Sequence, residues 1–157
     1  MFSLPTLDYS DKTAFYDDLR LAGKGLVANE NNRIANCANL AALLYFSLPD
    51  INWAGFYLLE EGELVVGPFQ GKPACVRIAL GEGVCGTAAS EQKTLRIADV
   101  EAFPGHIACD SASRSEIVIP LIKDGELFGV LDIDSPLPER FDESDQAGLE
   151  TFAQILP

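Results

Sequence analysis

The sequence predicts an α+β fold, with one central antiparallel β-sheet flanked by helices from both chain ends, in a single domain over residues 1–157. Three observations predict it. Two segments with helical spacing precede any strand. The middle of the chain alternates short runs rich in branched and aromatic residues with tight turns. A last capped segment with helical spacing closes the chain.

Each element has a local cause. Asp11 is an N-cap for a helix reaching about Val27, with Phe15, Leu19, Ala22 and Leu26 on one face. Gly23 and Gly25 weaken its second half. A second helix runs from about Asn32 to Ser47; Ile34, Cys37, Ala41 and Leu44 share a face, and Pro49 forbids continuation. Ile51–Leu59 reads as a strand, Glu60-Glu61-Gly62 as a turn, and Glu63–Val66 as a returning strand. Cys75–Leu80 alternates and reads as another strand, followed by a short helix over Val84–Gln92 and a short strand over Leu95–Ala98. Phe103–Arg114 holds Pro, Gly, Ser and Asp and reads as a loop. Ser115–Ile122 and Glu126–Asp134 are strands joined at Lys123-Asp124-Gly125, where Asp-Gly is a strong hairpin signal. Asp142 caps a last helix with Leu149, Phe152 and Leu156 on one face. No repeat, low-complexity tract or linker interrupts the pattern.

Composition bounds the function. The chain is 48% hydrophobic and 22% charged, and at 157 residues it buries a core without staples. Asp and Glu number 24 against 11 Lys and Arg, a net charge of −13 at pH 7. That charge repels phosphate backbones and anionic membrane surfaces, so neither nucleic acid nor membrane is an expected partner. Met1–Lys12 has no basic n-region or long apolar stretch, and runs such as Leu40–Phe46 are too short to span a bilayer. A cytoplasmic location is therefore the expectation, with cysteines present as thiols rather than structural disulfides.

Gly81-Glu82-Gly83-Val84-Cys85-Gly86 fits the dinucleotide pattern G-x-G-x-x-G. Only eight residues separate Gly86 from Leu95, short of the roughly 10–12 that a crossover needs, and no further βα units follow. The motif reads instead as a glycine-rich turn that permits close backbone packing, and no nucleotide or other cofactor is expected.

Four cysteines are present, with no C-x-x-C spacing and one histidine, which argues against a metal site. Cys37 falls on an apolar helix face and reads as a small core residue. Cys75 has Lys72 and Arg77 nearby, Cys85 sits at a helix start where the dipole favours a thiolate, and Cys109 lies in the long loop. By residue type alone, these three are either nucleophilic and resolving thiols of a redox enzyme or inert thiols. His106 in the same loop reads first as a surface or capping residue.

Asp132 and Asp134 alternate on one strand and leave the same face. They read either as a solvated strand end or as a pair that binds an amine or holds a proton, with a metal-binding Asp-x-Asp as a weaker option. Glu116 joins them if the hairpin closes. Counted eight residues back and eight forward from Asp124, Glu116 and Asp132 fall opposite each other. Trp53 and Tyr57 share a strand face, as core or as an aromatic wall for a sulfur or ammonium ligand.

With these residues laid out, the chain resembles the free methionine-(R)-sulfoxide reductases, which are stand-alone GAF-domain enzymes. The resemblance runs from about Phe15 to Leu156. It rests on INWAGFYLLE (Ile51–Glu60), GPFQGKPACVRI (Gly67–Ile78), GEGVCGTA (Gly81–Ala88), GHIACDSASRSEIVIPL (Gly105–Leu121) and GVLDIDS (Gly129–Ser135). The three-cysteine pattern makes it specific, because GAF domains that only bind ligands generally lack it. The resemblance implies a GAF-like sheet, Cys109 as nucleophile, Cys75 as main resolving thiol and Cys85 as a second partner. It places Trp53, Tyr57, Glu116, Asp132 and Asp134 in the substrate pocket. A sulfoxide oxygen leaves poorly until it is protonated, so Glu116 or an Asp neighbour is the expected acid. The resemblance further implies free methionine-(R)-sulfoxide as substrate, thioredoxin as reductant and a homodimer. The helix-dipole argument alone ranks Cys85 first; the family favours Cys109. Two rival readings are a GAF-type sensor that binds a small ligand without turnover and a different thiol enzyme, such as a peroxide reductase.

Overall fold

The computed structural model describes residues 6–157, so residues 1–5 of the 1–157 domain reading lie outside the described residues. The elements run in the order α1 (Lys12–Val27), α2 (Arg33–Ser47), β1 (Trp53–Glu60), β2 (Glu63–Gly71), β3 (Arg77–Ala79), α3 (Gly83–Glu91), β4 (Leu95–Ile97), a 3-10 turn (Val100–Ala102), β5 (Ser115–Lys123), β6 (Glu126–Ser135) and α4 (Glu143–Ala153). Three helices start on side-chain caps. Asp11 accepts from Ala14 N, Asn32 accepts from Ala35 N, and Asp142 forms a reciprocal capping box with Asp145.

The strands form one six-stranded sheet in the order β3-β2-β1-β6-β5-β4, antiparallel at every pairing. The period-2 alternation of the strands divides its two faces. One face carries Phe56, Ile117, Ile119, Leu131 and Ile133 against Phe15, Leu19, Leu40, Leu44, Leu149 and Phe152 of α1, α2 and α4. The other carries Trp53, Tyr57, Val118 and Val130 against Val84, Cys85, Ala88 and Ala89 of α3. The chain leaves β3 at one sheet edge, crosses this second face as α3, and re-enters at the opposite edge as β4. Among the described residues, no helix is long and apolar enough to cross a membrane.

Several boundaries differ from the sequence reading. β2 continues to Gly71 instead of stopping at Val66. Pro68 is tolerated there because β3 pairs only with Glu63–Val65, leaving the rest of β2 as a sheet edge, and because the β1 register shifts between Gly55 and Tyr57. β3 is shorter than expected, so Cys75 lies in the loop before it. Ile34 is exposed, since α2 packs through Cys37, Leu40, Ala41 and Leu44 further along. α4 ends at Ala153, yet Leu156 is still buried by the turn that follows.

The glycine motif is a packing device. Gly81 N donates to Gly86 O at 2.8 Å, and a Cβ on Gly86 would meet Ala79 O at 2.3 Å. β3 and β4 lie on opposite edges, so no nucleotide-binding βαβ unit exists here.

The β5–β6 register corrects the expected pairing. Glu116 is opposite Asp134, and Asp132 is opposite Val118. The turn centres between Asp124 and Gly125 rather than on Asp124, and a register shift follows between Leu121 and Ile122. Together these move the partner along by two residues, which preserves the face.

Candidate active site

The sheet places the acidic side chains in two adjacent rows. Trp53 on β1, Asp134 on β6 and Glu116 on β5 form one row; Gly55, Asp132 and Val118 form the next. Directly opposed residues share a face, so all three carboxyls rise on the α3 side. Gly55 is a packing requirement, because a Cβ there would meet Phe69 Cβ at 2.3 Å and the Trp53 ring at 2.7 Å.

Above these rows is a cleft lined by Trp53, Tyr57, Cys85, Cys109, Glu116, Asp132 and Asp134, together with Lys72, His106, Asp110 and Ser113. Of the side chains selected from sequence, only Cys75 is missing from the lining, and it is covalently joined to one that is present. Cys75 and Cys109, 34 residues apart, form a disulfide with a Cα–Cα distance of 5.5 Å. Cys109 is exposed and Cys75 partly so. Both lie in segments without helix or strand, between β2 and β3 and between the 3-10 turn and β5.

The thiols differ in environment. Cys37 is buried on the opposite side of the sheet, and burial pushes its thiol up to about 11. Cys85 is free and buried, with Sγ 3.8 Å from Glu116 Oε1. Burial, followed by the charges of Asp132 and Glu116, pushes its thiol well above the usual range. This corrects the helix-dipole argument. Cys85 does sit in the first turn of α3, but loss of water and neighbouring carboxyls outweigh a terminal dipole worth about 0.3–1 kcal/mol at the surface.

Burial likewise dominates the carboxyls. It raises Glu116 well above the carboxylate range, and the charges of Asp132 and Asp134 raise it further. Asp134 is raised well above its usual value by burial and then by Asp132 and Asp110. Asp132 is held up at about 6 by burial, opposed by hydrogen bonds with Glu116 and Cys85. The three carboxyls are thus raised together, by loss of water and by one another, and the group holds protons that separate carboxyls would lose. Its Oδ1 is buried without a protein partner. His106 Nε2 lies 3.9 Å from Glu116 Oε2; burial lowers the imidazole, so at neutral pH this contact is polar rather than ionic.

Donor atoms of Cys85, Glu116 and Asp132 lie within 4.8 Å of one another, and among the described residues these side chains form a group that could hold a metal ion. Sequence spacing does not reveal the group, because α3, β5 and β6 each supply one member.

Trp53 and Tyr57 have polar ties as well as apolar faces. Trp53 Nε1 donates to Lys72 O and Tyr57 OH donates to Cys75 O, each at 3.1 Å. Both aromatics therefore hold the Cys75 segment. Sequence reasoning gives no site role to Asn52, Asp110 or Ser113, and it notes Lys72 only as a charge near Cys75. Asp110 beside Cys109 was the available hint, but its partner Asn52 is 58 residues away.

The GAF domain family model matches residues 32–156. Free methionine-R-sulfoxide reductase of Escherichia coli (strain K12) is 57% identical over 146 residues, spanning 93% of this chain and 88% of that protein. This chain belongs to the free methionine-R-sulfoxide reductase family of GAF-domain proteins. The free methionine-R-sulfoxide reductase of Saccharomyces cerevisiae (strain ATCC 204508 / S288c) is 46% identical, spanning 93% of this chain and 86% of that reductase. The X-ray structure of free methionine-R-sulfoxide reductase from Neisseria meningitidis in complex with its substrate superposes with a TM-score of 0.94. It is 46% identical and covers 99% of this chain and 93% of that reductase.

Proposed function

We propose that this chain, as an oxidoreductase of that family, reduces free methionine-(R)-sulfoxide to methionine through a Cys109 sulfenic acid and a Cys75–Cys109 disulfide. The observation that carries the reading is the position of that disulfide, at a cleft whose floor holds three carboxyls that burial raises above the ordinary carboxylate range.

A sulfoxide oxygen is a poor leaving group until it is protonated. Glu116, kept neutral by burial and by its acidic neighbours, supplies a proton or hydrogen bond to that oxygen. The Cys109 thiolate attacks the sulfoxide sulfur; the protonated oxygen then passes from that sulfur to the Cys109 sulfur as the bond between the two sulfurs breaks, so methionine leaves and Cys109 is left as a sulfenic acid. Cys75 then attacks the Cys109 sulfur, forming the disulfide and releasing water. Cys85 stands by as a second resolving thiol. Thioredoxin, a dithiol, reduces the disulfide and is itself oxidised.

Asp132, through its unpartnered Oδ1, and Asp134 hold the substrate ammonium, and Trp53 and Tyr57 flank the methyl-sulfur end. Enclosure of the amino acid's charged groups favours the free amino acid over a peptide. The reading takes the chain as one domain over residues 1–157, acting in the cytoplasm as a homodimer.

The test is methionine release from each free sulfoxide epimer with dithiothreitol as reductant. Release from the (R) epimer, with little from the (S) epimer or from peptide-bound sulfoxide, is expected. Equal turnover of both epimers overturns the stereochemical reading. Binding without release would make the chain a ligand sensor.

A further inference from the structure

We infer that Asn52 is a positioning residue for the thiol pair, holding the Cys109 loop to the end of β1 so that Cys109 stays within bonding reach of Cys75. The inference rests on the thiol chemistry proposed above. Asn52 immediately precedes β1, and its backbone N–H donates to Asp134 O at 3.0 Å, which fixes it to the sheet beside the acidic row. Its side-chain Nδ2 donates to Asp110 Oδ2 at 3.2 Å and to Ser113 Oγ at 3.1 Å. Asp110 directly follows Cys109, so the anchor acts one residue from the exposed thiol.

Asp110 is also tied toward the other thiol. Its Oδ1 accepts from Ala112 N at 2.9 Å and lies 3.9 Å from Lys72 Nζ. Lys72 belongs to the Cys75 segment, and its carbonyl accepts from Trp53 Nε1. Asp110 thus bridges the two thiol segments, with Asn52 as the sheet-borne end of the bridge. The orientation of the amide follows from chemistry. Turned over, Asn52 would set its own oxygen against the Asp110 carboxylate, acceptor against acceptor. The backbone N–H of Ala112, with Asn52 and Lys72, holds the Asp110 carboxyl below the usual range, so Asn52 donates to an ionised acceptor.

The physical consequence is effective concentration. Two irregular loops that fluctuate independently spend little time with their sulfurs in line. A tie that removes this freedom beforehand favours the intramolecular bond over exchange with an external thiol.

The experiment measures the disulfide's equilibrium with glutathione, in which two glutathione thiols and the protein disulfide exchange with oxidised glutathione and the protein dithiol. Three variants are compared with the parent at matched temperature: Asn52→Asp, which opposes two carboxylates; Asn52→Ser, which shortens the tie without adding charge; and Asn52→Asp combined with Asp110→Asn, which reverses donor and acceptor. Asn52→Asp should lower the effective concentration of the thiol pair about tenfold, as expected for loss of a hydrogen bond to a charged group. Asn52→Ser should shift it less in the same direction, and the double variant should recover most of the loss. In a single turnover with sulfoxide, sulfenic acid should persist longer in Asn52→Asp in the same proportion.

A purely structural role predicts a lower melting temperature with an unchanged glutathione equilibrium in the folded protein, and that outcome overturns the inference. So does failure of the double variant to recover. If Asn52→Asp does not fold, Asn52→Ser decides alone: an equilibrium equal to the parent's overturns the inference. The glutathione titration needs no sulfoxide, so a parent that releases no methionine would count against the functional reading and not against Asn52.

Discussion

Glu116 on β5 and Asp134 on β6 are direct cross-strand partners, and Asp134 is flanked on its other side by Trp53 of β1. With Asp132 two residues along the same strand, three carboxyls share a sheet face and a single cleft. Burial removes much of the water that would screen them, so their protons are held jointly rather than lost one by one at ordinary carboxylate pH.

Amide substitution separates their duties, because it keeps shape while removing a proton or a charge. Glu116→Gln should lower the chemical step by about 10²- to 10⁴-fold, the range of a lost general acid, with little change in KM. At least one of Asp132→Asn and Asp134→Asn should raise KM about tenfold, as expected when a charge-assisted hydrogen bond to an ammonium is lost. Steady-state kinetics on the free (R) epimer check both. Three amide variants that behave like the parent would reduce the acidic row to a strand end without function.

The same protons predict a pH-dependent stability difference. The Asp132 carboxyl rises from 3.8 to about 6 on folding. The folded state therefore binds more protons than the unfolded state between these values, and this group's contribution is full below about 3.8 and lost as pH rises through about 6. Asp132→Asn removes that dependence. It should melt higher than the parent at pH 7.5, and the difference should shrink toward pH 4. Thermal melts of both proteins across this range provide the measurement, and comparing the pair cancels titration outside the acidic row, whose members titrate together. A difference independent of pH would mean that Asp132 does not carry a raised carboxyl.

The order of the thiols is testable by counting product. Cys109→Ser should release no methionine, even one per enzyme. Cys75→Ser should release the first methionine and then stall in thioredoxin-driven turnover, because sulfenic acid forms but is poorly resolved. Quench-flow of a single turnover distinguishes this from the reverse, in which Cys75→Ser loses the first release and Cys109→Ser keeps it.

Much of this molecule is local chemistry that can be read along the chain. Asp11, Asn32 and Asp142 set three helix starts because a short polar side chain satisfies orphan N–H groups wherever it stands before a helix. Alternation alone placed Asp132 and Asp134 on one face, and Asp124-Gly125 marked the hairpin. The expected thiol roles rest on segments shared with a known family, not on spacing. Only the tertiary structure decided what depends on distance across the chain. It set Glu116 against Asp134 through a turn centre and a register shift that no strand-by-strand count contains. It buried Cys85 among acids and so reversed the sign of its dipole argument. It also tied Asn52 to Asp110 across 58 residues. Caps, turns and periodicity act over a few residues and are written locally. Desolvation, Coulomb interaction and loop juxtaposition depend on groups that approach one another only after the sheet has closed.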